Sequence, residues 1–548
     1  MYHSIIVETR KSKLKKNRFF SSLKMAAVLT VTVISVFSFA PVKASAAGLG
    51  AVTINSVSIA GENVVVNISA SDLPSSDDGQ FYLFAEKPYQ GAPAGSPVAQ
   101  APISAGLNMT VPLGYQTASC HLYDKFQVAV KQGGNFVSVA GAKYITNPEA
   151  LAAGSPGRKN NGKKGLILDG AKIGNGNTES VQLGVKQGAY NINLPDIIGG
   201  NGGVQYGYNG KTYYFDSAYL SQYDHCVRTS TNQGMGMTMV LLNPRAAGEE
   251  FMISPSARGG RSSYYLMNTS EDKGLEYLEA VVSFLAMRYN GKNGCGQVDN
   301  WVIANEVNAK NVWNYSGITD QMQYAQLYAD SVRVCYNAIK SRNANAYVCI
   351  SLDQNWTHIH NGSYYSARSM LEAINACITA QGNIDWAVAE HPYNYPMNWT
   401  SFWTPKNPAM VTHDMNTPYL TMENIEVLTD FLSQPAFRNT KGGVRPVLLT
   451  EVGYSSTQGE EAQAAAIVYA YQRCVNNQHI KLIAFNRQTD SPVEIAQGLS
   501  VGLTHTNGAR KLAFEFYQQM DGPNAGAYIG RAASYMGITD WNAQMRAR

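Results

Sequence analysis

From Val52 to Ile145 apolar and polar positions alternate in short runs, such as Val64-Val65-Val66-Asn67-Ile68 and Phe126-Gln127-Val128-Ala129-Val130, broken by clusters of Gly, Pro, Ser and Asp. Alternation at period two between turn formers predicts antiparallel strands with one buried face, and a small β-sandwich over residues 50–147. Residues 148–164 contain Asn147-Pro148 at their edge and Gly154-Ser155-Pro156-Gly157-Arg158-Lys159-Asn160-Asn161-Gly162, and predict a linker or exposed connection. Beyond it the pattern changes to short apolar runs separated by longer amphipathic stretches. Eight runs stand out: Leu166 to Asp169, Ala189 to Leu194, Thr238 to Leu242, Trp301 to Asn305, Tyr347 to Leu352, Trp386 to His391, Val447 to Glu451 and Leu482 to Asn486. The intervening stretches open on acidic or hydroxyl residues, as in Ser270-Glu271-Asp272, Thr319-Asp320 and Glu460-Glu461, which suit helix N-termini. Eight strands alternating with helices predict an α/β fold: a (β/α)8 TIM barrel over residues 165–522, preceded by the small all-β domain and followed by a polar tail at 523–548. A last helix, about Ala509 to Met520, closes the eightfold repeat.

The chain start has a different texture. Arg10, Lys11, Lys13, Lys15, Lys16, Arg18 and Lys24 precede an apolar run from Met25 to Ala40, which is followed by Ala44-Ser45-Ala46. A basic leader, an apolar run too short for a membrane span and a small-residue triplet predict a signal peptide over 1–46 and a secreted or extracellular protein; a retained amino-terminal anchor is the alternative. The leader also carries the positive charge of the chain. Residues 1–46 hold eight Lys/Arg against one Glu, so a formal charge of +4 becomes about −3 once they are removed, and no basic stripe remains to bind nucleic acid. No membrane span is expected after signal removal. The seven cysteines are widely spaced with no C-x-x-C pair, which argues for packing roles and against a zinc site, and leaves one or two disulfides open.

In a (β/α)8 barrel the chemistry sits at the carboxyl ends of the strands. The fourth run continues Trp301-Val302-Ile303-Ala304-Asn305-Glu306-Val307-Asn308 and the seventh reads Val447-Leu448-Leu449-Thr450-Glu451-Val452-Gly453-Tyr454. Each glutamate directly follows a buried strand, which gives rigid support and the partial desolvation that tunes a carboxyl group. Glycoside cleavage needs two such groups, one to protonate the leaving oxygen and one to meet the oxocarbenium-like carbon. Strands four and seven face each other across an eight-stranded barrel.

Asn305-Glu306 after strand four and Glu451 after strand seven resemble the signature of the 4/7 clan of retaining glycoside hydrolases (clan A), over roughly residues 163–522. The resemblance implies Glu306 as general acid/base, Glu451 as nucleophile and Asn305 as a donor to the sugar 2-hydroxyl. At the end of strand six, Glu390-His391-Pro392-Tyr393, the clan often places a His or Tyr that bonds the nucleophile or the sugar, which points to His391 and Tyr393; strand alternation turns Glu390 to the other side. The clan commonly ends strand eight in a Trp that floors the sugar site, whereas this chain has Ala484-Phe485-Asn486-Arg487-Gln488. Asn486 and Arg487 are therefore candidate substrate ligands there, Phe485 a substitute floor, and Arg487 a reader of an acidic or heavily hydroxylated substituent or the partner of a structural acid.

Aromatic residues crowd the expected top loops: Trp313, Tyr315, Trp356, Trp399, Phe402 and Trp403, with Trp356 the candidate for stacking on an apolar sugar face. The loop from Pro392 to Thr421 is longer than a connection needs. In the β-domain, Phe81, Tyr82 and Phe84 suit either a core or a sugar-binding face. The expected partner is a poly- or oligosaccharide, with no cofactor and no metal implied, and the oligomeric state stays open. Two other functions remain: a saccharide-binding surface protein on a barrel that does no chemistry, and a metal-dependent esterase using His358-Ile359-His360.

Overall fold

A computed structural model describes residues 51–91, 93–200 and 202–546. The signal peptide expected over 1–46 lies outside the described residues. From residue 51 the chain forms two antiparallel sheets. In the first, Val52–Ala60 pairs with Asn63–Ala70, which pairs with Gly106–Pro112. In the second, Gln80–Glu86 lies between Ala99–Pro102 and Lys125–Gln132, and Lys125–Gln132 also pairs with Asn135–Ser138 and Lys143–Tyr144. Alternation in the sequence becomes alternation in burial: in Asn63–Ala70, Val64, Val66, Ile68 and Ala70 face the core and the residues between them do not. Phe81, Tyr82 and Phe84 are all buried, and Phe136 covers the latter two edge-on at 5.0 Å each, so this aromatic group is packing.

The barrel strands are Lys164–Ile167, Gln187–Asn193, Gly236–Leu242, Asn300–Ile303, Tyr347–Asp353, Ala387–His391, Val447–Val452 and Ile480–Phe485, all parallel and closed by the pairing of the eighth with the first. The fold class read from the pattern is the one found. Parallel strands wrapped by helices are buried on both faces, which is why they read as continuous apolar runs; every residue of Gly236–Leu242 is buried. Val240, Val302, Cys349, Leu448 and Leu482 fill the lumen together with four alanines, Ala189, Ala387, Ala389 and Ala484. Closure itself requires a close approach at Gly165, where a β-carbon would stand 2.7 Å from the Ile483 carbonyl oxygen.

The connection after the sheets is fastened to the barrel. Arg158 stacks at 3.6 Å on the Tyr347 ring, and the Lys159 amide donates to Asp299. The β-domain is also bonded to barrel elements: Tyr123 and Tyr208 share a hydrogen bond, the Tyr115 hydroxyl donates to the Ser341 carbonyl, and Asn337 donates to the Leu122 carbonyl. The closing helix is Leu512–Gln519. The stretch expected as a polar tail is instead helical over Ala525–Met536 and Trp541–Met545; Trp541 packs on Tyr469, and Arg473 donates to the Gln544 carbonyl. Its buried positions are few, Ala532 and Met545, so no apolar face marked it in the sequence. All seven cysteines are free thiols, six of them buried. No helix among the described residues is long and apolar enough to cross a membrane.

Leu448 is fully buried in the lumen. Leu448→Ala is expected to destabilise the protein by about 2–5 kcal/mol, and Val137→Ala, at a position exposed on an outer strand, by under about 0.5 kcal/mol. Urea midpoints followed by tryptophan fluorescence check the contrast.

Candidate active site

The end of the fourth strand turns sharply. Ala304 and Glu306 have positive φ, 62° and 38°. A non-glycine residue in this region costs on the order of 1–2 kcal/mol, so the surroundings must impose the turn. They do so by hydrogen bonds: the Ala304 amide donates to the Leu241 carbonyl (3.0 Å), the Glu306 amide to Ser351 Oγ (2.9 Å) and the Val307 amide to the Ser351 carbonyl (3.0 Å). From the helix Gln321–Lys340, Tyr328 and Tyr324 donate to the carbonyls of Ile303 and Val307. The turn therefore sits between its two neighbouring strands and the helix behind it.

On the seventh strand the pairing with the eighth shifts register between Leu449 and Val452, which takes Thr450 and Glu451 out of the regular ladder. Such an irregularity re-aims side chains at a strand end. The strands stay close beyond it: at Gly453 a β-carbon would lie 2.9 Å from the Asn486 carbonyl oxygen.

Hydrogen bonds join the four strand ends in two groups. His391 Nδ1 lies 2.8 Å from Glu306 Oε1, and its Nε2 lies 3.0 Å from Thr450 Oγ1. The Tyr393 hydroxyl donates to Glu451 Oε1 at 2.8 Å and accepts from Asn486 Nδ2 at 3.1 Å. The carboxylates are thus held differently, one by an imidazole and one by a phenol. Burial pushes Glu306 up to about 7, opposed by the hydrogen bond and charge of His391 and assisted by the negative charges of Asp353 and Glu451. Burial pulls His391 down, but its bond to Glu306 and the charges of Glu451 and Glu306 outweigh this and leave it raised. The pair holds a proton near neutral pH. Tyr393 is pushed well above its usual range, first by burial and then by Glu451, and stays a donor.

These groups line a cavity of about 250 Å³ at the carboxyl ends of the strands. Asn305, Glu306, His391, Tyr393, Glu451 and Asn486 all reach it, above a floor that includes Ile167, Ala189, Val240 and Leu242. Its walls carry rings in pairs: Tyr264 with Trp313 at 5.9 Å, and Tyr395 with Tyr419 stacked at 4.0 Å. Tyr395 and Tyr419 belong to the long loop after strand six, which is tied to the loop after strand five by bonds from the Thr357 and His358 amides to the Pro418 carbonyl and from the Leu420 amide to the Gln354 carbonyl.

Two expected ligands do not line the cavity. Trp356 is fully buried, edge-on to Phe431 at 5.0 Å, with its indole N–H donated to the Met415 carbonyl; apolar packing claims the ring that stacking on sugar would have used. Arg487 turns its guanidinium to Glu494 Oε1 at 3.5 Å, so it pairs with an acid of the chain and stands outside the lining. Of the other loop aromatics, Phe402 is buried between Tyr454 and Tyr469, and Trp403 packs on Tyr535. Glu390 is buried outside the cavity lining, without a hydrogen bond to either oxygen, and burial with the charges of Asp353 and Glu306 pushes it well up. His358 and His360 rest against Tyr419 and Tyr364, and the described residues include no group of three or more His, Cys, Asp or Glu that could hold a metal ion.

The structure adds residues that sequence reasoning missed. Asp353 lines the cavity and accepts from Asn308 and from both nitrogens of Asn355. Its signal was available, an acid directly after a buried strand. Glu494 also lines the cavity, from the short helix Pro492–Ile495 after strand eight. No apolar run precedes it, so nothing in the pattern marked it.

A family model described as a family of unknown function (DUF5722) matches residues 156–544. No curated protein matches the chain. Among solved structures it is similar to a family 39 glycoside hydrolase from the gut symbiont Bacteroides cellulosilyticus WH2, at 13% identity over 81% of this chain and 77% of that one, with a TM-score of 0.45. It is also similar to the exo-beta-1,4-mannosidase Op5Man5 from Opitutaceae bacterium strain TAV5, at 15% identity over 69% and 60% of the two chains, TM-score 0.40. A third is GH5_18 from Streptomyces cattleya in complex with GlcNAc, at 12% identity over 72% and 91%, TM-score 0.42. The functional reading rests on the geometry of the site.

A carboxyl group whose folded pKa is raised costs stability as pH climbs from its unfolded value, 4.5, through about 7. Glu306→Gln is therefore expected to raise Tm at about pH 8 and to leave it nearly unchanged at about pH 4, where both states are protonated. Calorimetry at the two pH values checks this; equal shifts would mean that ionised Glu306 carries no burial penalty.

Proposed function

We propose that this chain, which belongs to the DUF5722 family, is a retaining glycoside hydrolase that cleaves O-glycosidic bonds of a poly- or oligosaccharide. The observation that carries the reading is the unequal treatment of two carboxyl groups at one cavity. Glu306 is raised to about 7 by burial beside His391, whereas Glu451 is positioned by the Tyr393 phenol. Double displacement needs this division: a group that still holds a proton near neutral pH, and a group fixed as a nucleophile.

In the first step Glu451 attacks the anomeric carbon, the bond to the leaving oxygen breaks, and Glu306 gives that oxygen its proton. In the second, water attacks the same carbon, passes a proton to Glu306 and displaces Glu451. Tyr393 donates to the Glu451 oxygen throughout, and Asn486, which donates to the Tyr393 oxygen, orients the phenol for that task. His391 gains from the negative charge on Glu306 after the first transfer and so moderates its basicity. Asn305, at the cavity beside Glu306, is assigned to the sugar 2-hydroxyl. The leader over residues 1–46 supports export, which places the substrate outside the cell.

Glu306→Ala is expected to slow glycosides with poor leaving groups about 10²–10⁴-fold and activated aryl glycosides far less. Azide should partly restore its turnover and give a glycosyl azide of retained configuration. Glu451→Ala should bring both substrate types to background, and azide rescue should then give the inverted product. Proton NMR of the products distinguishes the two. Inversion with the Glu306 variant would exchange the roles, and undiminished cleavage by both variants would leave a saccharide-binding barrel as the better reading.

A further inference from the structure

Resting on that reading, we propose that Glu494 selects the substrate: it accepts a hydrogen bond from a hydroxyl of an uncharged sugar unit, in a cavity that refuses glycosyl groups bearing carboxylate or sulfate. Glu494 is 2% exposed and lines the cavity beside Asn486. Its Oε1 has only long contacts, 3.4 Å from Asn486 Nδ2 and 3.5 Å from Arg487 Nη1, and its Oε2 is buried with no hydrogen-bond partner.

Two buried carboxylates away from the cavity are bonded at both oxygens. Glu426 takes His413 Nδ1 on one oxygen at 2.7 Å and Arg473 Nη2 on the other at 2.6 Å. Asp490 accepts from Lys511, the Gly502 amide and Ser500 at 2.8–2.9 Å. Buried acceptors are ordinarily satisfied, and one left open at a cavity fits a donor that arrives with the ligand. A second unpartnered acceptor belongs to another residue of the same lining. Asn394 gives its amide N–H to the Trp399 carbonyl, while its Oδ1 has no partner. Hydroxyl groups are the donors a sugar brings.

Charge narrows the class further. The lining includes the carboxyl groups of Glu306, Asp353, Glu451 and Glu494, and no lysine or arginine among the described residues. Arg487, the nearby cation, is paired with Glu494 and stands outside the lining. A uronate or sulfate would enter among these acidic groups with no lysine or arginine in the lining to receive it, so the cavity selects against it.

The test compares wild type, Glu494→Gln and Glu494→Asp on neutral aryl glycosides, their monodeoxy analogues and matched uronides. On the best neutral glycoside both variants should lose about 10- to 100-fold in kcat/KM. For one monodeoxy analogue the loss should vanish, because wild type has already forfeited the same bond. Wild type should turn over uronides at least about 100-fold more slowly than neutral glycosides. A variant loss equal across all deoxy analogues, or a uronide as good as its neutral counterpart, overturns the assignment while leaving glycoside hydrolysis intact. If one variant fails to fold, the other supplies the deoxy comparison; if both do, Glu494 holds structure and the proposal is overturned. A wild type that cleaves no glycoside, charged or neutral, defeats the functional reading itself and the assignment with it.

Discussion

Closure of the barrel is the constraint on which everything else depends. The fourth and seventh strands contribute Glu306 and Glu451, the sixth His391, and the segment after the eighth Asn486, so the site exists only while the ladder runs unbroken from the first strand round to the eighth. The seam between the eighth and first strands admits only a hydrogen atom at Gly165. Because each strand is hydrogen-bonded on both sides, a displacement at one strand end is resisted by two neighbours. That stiffness lets the fourth strand end in two left-handed residues without relaxing.

The lumen explains where the cavity comes from. Branched residues share the lumen with the alanines at 189, 387, 389 and 484, and Ala189, Val240 and Leu242 reach the cavity above. Into that space the chain turns carboxyl groups that burial alone would keep protonated. Glu306 is moderated by His391, and Asp353 by Asn308 and Asn355, whereas Glu390, just behind the lining, has no such partner. Tertiary contacts distinguish groups that are chemically identical in the sequence.

The eight strands were legible because strands buried on both faces must be continuously apolar; seven of the expected runs contain most of an observed strand, and the first contains half of Lys164–Ile167. The β-strand at Asn63–Ala70 was legible for the opposite reason, alternation on a half-buried sheet, whereas Lys125–Gln132 is buried continuously from Phe126 to Val130. Glu306, Glu451, His391 and Tyr393 could be named because each lies at or just after the end of a strand. Glu494 could not, since a loop residue reaches the cavity through the path of the chain and not through a repeat. Trp356 misled because composition places an aromatic in a loop but does not say which side of the loop it takes. The terminal helices escaped notice because few of their residues are buried.

Trp356 nonetheless bears on the ligand at one remove. Its indole N–H holds the Met415 carbonyl, and the neighbouring Thr357 and His358 amides hold that of Pro418, so it pegs down the loop that presents the stacked Tyr395 and Tyr419 rings. A wall fastened in this way has already surrendered its conformational freedom before any ligand arrives. Entry then resembles insertion into a fixed aperture more than the closing of a hand. Encounter is governed by the width and orientation of the opening, so a ligand whose shape does not match is turned away at the rim.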